Sequence, residues 1–361
     1  MGSFILKRLG VMILTALCLT FAVFFLTNLY PNLEKLAKTE GNMRMQDAEV
    51  AAWLDNRGFG QPLLVRYGEW LGLMPGWTHT NDKGEITGRC ILPTNTSETA
   101  PRYCGVAQGD FGHSFFFKDT NWNIISSKLA NTGWLMLWVF VTMVPAALLI
   151  GVLAGMREGS RTDRSLSTLA IISTATPEYV SGVILVVLLG SSGYGLSPLL
   201  ASWGWIDGRL LFSGSATSAM DSITFFNFTL PVLTMALYGM GYIARMTRAS
   251  MAEVMTAQYI RTARLKGVSF RGIVVKHALR NALIAPFTVI MLQFPWLLTG
   301  VVIVETLFQY KGFGWVLVQA AGNNDIELLL GCSVVAVFVV LITQLISDIG
   351  YVFLNPRIRV N

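Results

Sequence analysis

Apolar residues along this chain gather into long unbroken runs instead of short alternating ones. Six stretches carry no Asp, Glu, Lys or Arg: residues 9–33, 129–156, 179–206, 222–244, 281–304 and 328–347. Several exceed the roughly 20 apolar residues that an α-helix needs to cross a bilayer core. The pattern predicts an all-α, polytopic membrane protein with about six transmembrane helices, at about residues 11–29, 132–155, 166–190, 228–247, 282–304 and 328–354. The third holds Pro177 and Glu178 inside it, and bundle packing can satisfy the backbone groups that such a proline frees. The first follows Lys7 and Arg8, but it is longer than a signal-peptide core of about 7–15 residues and no small-x-small cleavage site closes it. It is therefore read as an uncleaved helix.

Composition sharpens this. Only 13% of the 361 residues are charged and 53% are hydrophobic, against a charged share of about 25% in soluble domains. A soluble enzyme, a disordered chain and a secreted disulfide scaffold are excluded. The net charge of +6 is unevenly placed. Fifteen basic residues fall in the N-terminal end, the loops that would lie on the same side, and the C-terminal end with Arg357 and Arg359. Only Glu158, Asp163 and Glu253 oppose them there. The positive-inside rule then puts both termini in the cytoplasm. A nucleic-acid binder would need a basic soluble domain, and none is present.

Three regions follow: residues 1–29, the N-terminal end and first helix; residues 30–131, a long loop outside; and residues 132–361, a core membrane domain. Within the outside loop, residues 46–56 read as an amphipathic helix, and residues 62–73 as a second, with Leu63, Tyr67, Trp70 and Leu71 on one face. A polar, turn-rich stretch at 78–108 leads to Gly109-Asp110-Phe111-Gly112. The loop is either a packed cap or a docking surface for an extracytoplasmic partner. Cys90 and Cys104 lie in it, where disulfides persist. A bond between them would close a short loop, although two cysteines alone do not fix the geometry. Cys18 and Cys332 fall inside helices and read as buried thiols.

The inside loop at 248–281 carries the densest signal. Met251, Met255, Tyr259 and Ala263 recur every fourth residue and so share one helical face, with Arg261, Arg264 and Lys266 on the flanks and Gly267 as a stop. Such a basic amphipathic helix could lie in lipid headgroups or dock on a partner.

These residues, Tyr259-Ile260-Arg261-Thr262-Ala263-Arg264-Leu265-Lys266-Gly267 and then His277-Ala278-Leu279-Arg280-Asn281-Ala282-Leu283, resemble the cytoplasmic signature loop of binding-protein-dependent ABC importer permeases of the dipeptide/oligopeptide/nickel branch, first-permease type. The resemblance extends through Glu305-Thr306-Leu307-Phe308, Gly312-Phe313-Gly314 and Asn355-Pro356-Arg357. Lys311 stands where the family usually has proline, and Asn355 where it usually has aspartate. The stretch 78–108 looks like an insertion.

The resemblance implies a type I importer permease fold and a coupling helix seated in a groove of a cytoplasmic ATPase. Met255, Tyr259 and Ala263 would anchor it, Arg261, Arg264 and Lys266 would orient it, and Gly267 would permit its sharp exit. Implied partners are a second homologous permease, two ABC ATPase subunits and a periplasmic solute-binding protein, with peptide-like or related small solutes as cargo. The chain has no G-x-x-x-x-G-K-[ST] loop, so ATP and Mg would be bound by the ATPase subunits, with no cofactor and no catalytic residue here.

Glu178 and Glu305 are the candidates for lining a translocation pathway, since an acid inside a membrane is costly and defaults to a functional hypothesis. For Glu178 the alternatives are a basic partner on a neighbouring subunit or a place near a helix end. His79, His113 and His277 are scattered and lack metal-ligand spacing. An ion-gradient-driven secondary transporter or channel is the competing reading. It would want inverted repeats and paired intramembrane acids.

Overall fold

The computed structural model describes residues 2–80, 86–91, 99–208 and 210–354; the Asn355-Pro356-Arg357 motif lies outside them. In chain order the helices are α1 (Gly2–Thr27), α2 (Tyr30–Glu40), α3 (Asp47–Asp55), α4 (Leu63–Leu71), α5 (Asn121–Gly155), α6 (Arg161–Ala175), α7 (Glu178–Leu189), α8 (Leu196–Ser202), α9 (Phe225–Thr256) and α10 (Gln258–Leu265). After these come α11 (Phe270–Gly272), a π-helical turn (Ile273–Ala278), α12 (Leu279–Ala282), α13 (Ile284–Leu307), α14 (Phe313–Gly322) and α15 (Ile326–Leu354). One antiparallel hairpin, β1 (Thr78–Thr80) with β2 (Ile86–Gly88), pairs His79 with Thr87.

The fold is all-α and polytopic, as the apolar runs require. Among the described residues three helices, α1, α5 and α15, are long and apolar enough to cross a membrane, and up to five spans result if each of two bent pairs counts as one. The expected single helix at 166–190 is one of those pairs: α6 and α7 meet at 109°. The cause is local. Thr176 precedes Pro177, so it is pushed out of the α region and sits at ψ 120°. Helix α9, the expected fourth span, packs against α6, α7 and α13.

Two other boundaries depart from expectation. Helix α5 starts at Asn121, eleven residues before the apolar stretch, because Ile124 and Ile125 are already buried. Helix α2 follows α1 almost at once, and its buried side is Leu33, Leu36 and Ala37. Cys18 is exposed on α1, so only Cys332 is a buried thiol.

The chain forms two compact units whose borders differ from the three regions read from the sequence. The first holds Ala130–Trp315 and residues 342–354; the second holds Gly2–Leu129 with Val316–Leu341. In the second unit, Phe24 of α1 packs on Tyr67 and Trp70 of α4 with ring centroids 5.3 and 5.7 Å apart, and the Tyr67 and Thr20 hydroxyls meet at 2.8 Å. Cys90 and Cys104 are joined, with Cα atoms 5.6 Å apart. The Gly-Asp-Phe-Gly motif is a turn: Gly109 and Gly112 both sit at φ +81°, and the Asp110 carboxylate accepts from the Gly112 N–H at 2.9 Å.

In the first unit α9 is the central strut. Side chains are missing where neighbours come closest. A Cβ on Gly241 would lie 2.5 Å from the Ala170 carbonyl of α6, and one on Gly155 the same distance from the Arg248 carbonyl of α9. Small residues at such crossings are how membrane helices maximise packing. Gly241→Val is expected to cost about 1–3 kcal/mol by overpacking. Gly133→Ala, at a helical position with open space around it, should leave the detergent melting temperature at or above that of the wild type. Equal melting temperatures for the two variants would refute the crossing argument.

Candidate functional site

Helix α9 carries the signature segment past the apolar core, and the segment then folds back on itself. Ala257 adopts ψ 150° and breaks the helix, so α10 starts in a new phase. Met251 and Met255 from α9 then share one cluster with Ile260 and Ala263 from α10 and with Ile273, Val274, Ala278 and Ala282 beyond. No glycine or proline demands the break; the burial of Ile260 and Ala263 is what it achieves. Gly267, at φ +76°, closes α10 with the Val268 N–H reaching back to the Ala263 carbonyl at 3.2 Å, a left-handed C-terminal cap that favours glycine.

This geometry corrects the expected anchor set. Met255 and Ala263 face inward and pack on the chain itself, so they are not free to enter a partner's groove. Tyr259 does not share their face: it is 42% exposed, and its hydroxyl accepts from the Asn281 side chain at 2.9 Å. Arg261, Arg264 and Lys266 are exposed. Leu265, which periodicity did not single out, is 82% exposed. The outward surface of α10 is thus Tyr259 and Leu265 among three cations, joined by the exposed Phe270 and Val275. The miss has a clear origin, since counting every fourth residue assumed one helix through Ala257.

Behind the loop, Asp163 of α6 accepts from Arg248 of α9 through both carboxylate oxygens, at 3.0 and 2.8 Å. Asp163 also accepts from the Gly159 N–H and the Ser167 hydroxyl. Bidentate pairing with extra hydrogen bonds is the form in which a buried ion pair holds a fixed geometry.

Glu305 does not line an open pathway. It is fully buried near the C-terminus of α13. One carboxylate oxygen accepts from the Thr132 hydroxyl of α5; the other accepts from the Trp315 N–H at 2.9 Å, and Gly314 contributes a second backbone N–H. Thr132 in turn accepts from the Phe313 N–H at 2.7 Å. The carboxylate therefore caps the first turn of α14, where free N–H groups and the helix dipole favour negative charge. A Cβ on Gly312 would collide with that carboxylate, and one on Gly314 would lie 2.7 Å from the Val302 Cα. The Gly-Phe-Gly motif is the backbone's approach to this acid.

Glu178 is the first residue of α7, half-buried, at the end where the helix dipole favours an acid. It lies within electrostatic reach of Tyr238, which stacks on Trp296 at 4.9 Å. Among the described residues no ion pair to Glu178 is found. No cluster of three or more metal-ligating side chains is found among them either.

Residues 147–360 match the profile of the family described as "binding-protein-dependent transport system inner membrane component". The chain is 29% identical over 376 residues to the di/tripeptide transport system permease protein DppB of Pseudomonas aeruginosa (strain UCBPP-PA14), covering 99% of each. It is 27% identical over 361 residues to the oligopeptide transport system permease protein AppB of Bacillus subtilis (strain 168), covering 99% of this chain and 100% of the relative. A crystal structure of an amino acid ABC transporter with histidines aligns with 63% of this chain and 93% of its own, at 15% identity and a TM-score of 0.45.

The Glu305 tie generates a test. Glu305→Ala strands the Thr132 hydroxyl and two backbone donors, which is expected to cost on the order of 1–3 kcal/mol for each unsatisfied group. Glu305→Gln, which keeps one acceptor oxygen, should lose less. Thermal unfolding followed through Trp fluorescence ranks the three proteins, and an alanine variant as stable as the wild type would remove the capping role.

Proposed function

The chain belongs to the family of binding-protein-dependent transport system inner membrane components, and on that premise we infer that it forms half of the translocation pathway of an ATP-driven peptide importer. It is a multi-pass permease subunit of the ABC class. Peptides are favoured as cargo because the near-full-length relatives are named for di/tripeptides and oligopeptides. The other half of the pathway would be a second homologous permease, with ATP and Mg held by two cytoplasmic ABC ATPase subunits and solute delivered by a periplasmic binding protein.

The observation that carries the coupling role is the outward surface of α10. Two apolar side chains, Tyr259 and Leu265, project among Arg261, Arg264 and Lys266 while Met255, Ile260 and Ala263 lock the helix onto its own bundle. A projecting apolar pair ringed by cations suits a groove on a soluble partner, and the locked inner face makes α10 a rigid handle. Movement of the ATPase pair would then turn the bundle as one body. The Asp163–Arg248 pair, with Asp163 buried and Arg248 partly exposed, ties α9 to α6 just behind this handle. The positive-inside rule supports a cytoplasmic side for α10, the basic loops and both termini, and the persistence of disulfides outside the cytoplasm supports the opposite side for Cys90 and Cys104.

Co-purification of the ATPase subunits tests the proposal. Leu265→Asp and Arg264→Glu should each weaken that association at least about tenfold, equivalent to ~1.4 kcal/mol, with the permease's own melting unchanged. Ala263→Leu, by contrast, should lower the melting temperature through overpacking. If the two surface variants keep their ATPase partners and support full ATP-driven peptide uptake in vesicles, α10 is not the coupling element.

A further inference from the structure

The second unit carries an open cleft of about 730 Å³, a volume typical of small-ligand sites. Its wall is drawn from α1, α2, α4, the hairpin and the first turn of α15, and every described lining residue belongs to that unit. The Glu305 tie and the signature loop take no part in it.

The lining has an unusual charge arrangement. Glu40, Glu69, Asp325 and Glu327 share the cavity with Arg57, Arg66 and Arg89, Asp325 accepting from the Ser114 hydroxyl at 2.5 Å. The opposite charges feel one another, Glu327 with Arg89, Glu40 with Arg57, and Glu69 with both Arg66 and Arg89. Among the described residues, however, none of the seven forms an ion pair within 4 Å. Charges that could neutralise each other are held apart across open space. Desolvation is the consequence: burial pushes the Arg66 guanidinium down to about 10 and raises the Glu69 and Glu40 carboxyls.

Particular atoms point to an absent partner. The Arg89 Nε is buried and has no acceptor, and an unsatisfied buried donor of this kind costs about 1–3 kcal/mol or more when charged. Glu327, in the first turn of α15, is exposed and lines the cavity. One of its oxygens accepts from the His113 N–H at 3.1 Å. Arg57 is pinned 3.8 Å over the Trp53 ring, which orders it without neutralising it. Trp77 completes an aromatic wall.

We propose that this cavity binds a small amphoteric solute, an amino acid or a short peptide, with its ammonium group at Glu327 and Glu40, its carboxylate at Arg89, and its side chain against Trp53 and Trp77. A ligand carrying both charges bridges the separated groups, whereas a simple ion satisfies only half of them. A metal ion fits less well, because no set of three ligating side chains is found among the described residues. The assignment stands on the cavity and does not depend on the ATPase-coupling role of α10. It adds a solute site on the permease chain itself, apart from the pathway between two permeases.

Titration calorimetry on the purified full-length chain in detergent, disulfide intact, tests it. The probes are glycyl-phenylalanine, phenylalanine, phenethylamine (amine only) and 3-phenylpropanoate (acid only). The two zwitterions should bind saturably, and the single-charge analogues at least about tenfold more weakly. Glu327→Gln and Arg89→Gln should each weaken zwitterion binding by at least that factor; Glu40→Gln serves the same purpose should either variant melt early. Absence of saturable binding up to about 1 mM, or binding indifferent to these substitutions or to the loss of one ligand charge, overturns the proposal. Uptake by the whole complex is measured in parallel. Transport without binding to the cavity removes this site and leaves the importer intact, while binding without ATP-driven uptake does the reverse.

Discussion

The close approach of α9 to its neighbours is the constraint on which the first unit depends. Gly241 lets α9 meet the Ala170 carbonyl of α6, and Gly151 and Gly155 let α5 approach α9 at Thr247 and Arg248. In a bilayer there is little hydrophobic drive to bring helices together, because lipid tails are as apolar as leucine. Association comes from packing and from polar ties. Glycines supply the first here. The second follows from them, since the same crossing brings Arg248 against Asp163 with two hydrogen bonds.

From that crossing the signature loop inherits its rigidity. Helix α9 extends past the apolar core, breaks at Ala257 and hands its direction to α10, which is fastened by Ile260 and Ala263 beneath and by the Tyr259–Asn281 hydrogen bond at the side. The π-helical turn at Ile273–Ala278 packs Ile273, Val274 and Ala278 into the same cluster. Such turns are rare and recur at functional sites. At the far end of α13, Glu305 draws α5 and the start of α14 together through Thr132, Phe313 and Trp315. A displacement of α10 is therefore delivered to packed helices with few soft joints, as a rigid-body step requires.

Much of this was readable along the chain. The charge-free runs marked α1, α5, α13 and α15, because a helix in lipid must satisfy its own backbone groups and show apolar side chains. The helices at 47–55 and 63–71 were visible from local spacing. The signature loop and the turn glycines carried their own marks. Other features were hidden for identifiable reasons. The first eleven residues of α5 are of mixed polarity, with Asn121, Ile124 and Ile125 the buried ones, so no long apolar run announces them. The break at Ala257 has no local sequence cause, and the every-fourth-residue count placed Tyr259 on the wrong face and passed over Leu265. Glu305 read as a pathway acid because an isolated intramembrane carboxylate looks functional until Thr132 and the backbone of residues 314–315 are seen to surround it.

By itself the sequence determined the class of protein, the uneven placement of charge and the presence of a basic amphipathic loop after α9. These follow from composition and local order, which a bilayer reads directly. Tertiary structure alone decided which side of α10 faces outward, that Glu305 is a cap, and that four acids and three arginines line one cavity with no ion pair between them among the described residues. Each depends on residues far apart in the chain, such as Thr132 with Glu305 or Arg89 with Glu327. Local propensity carries no information about such distances; packing sets them.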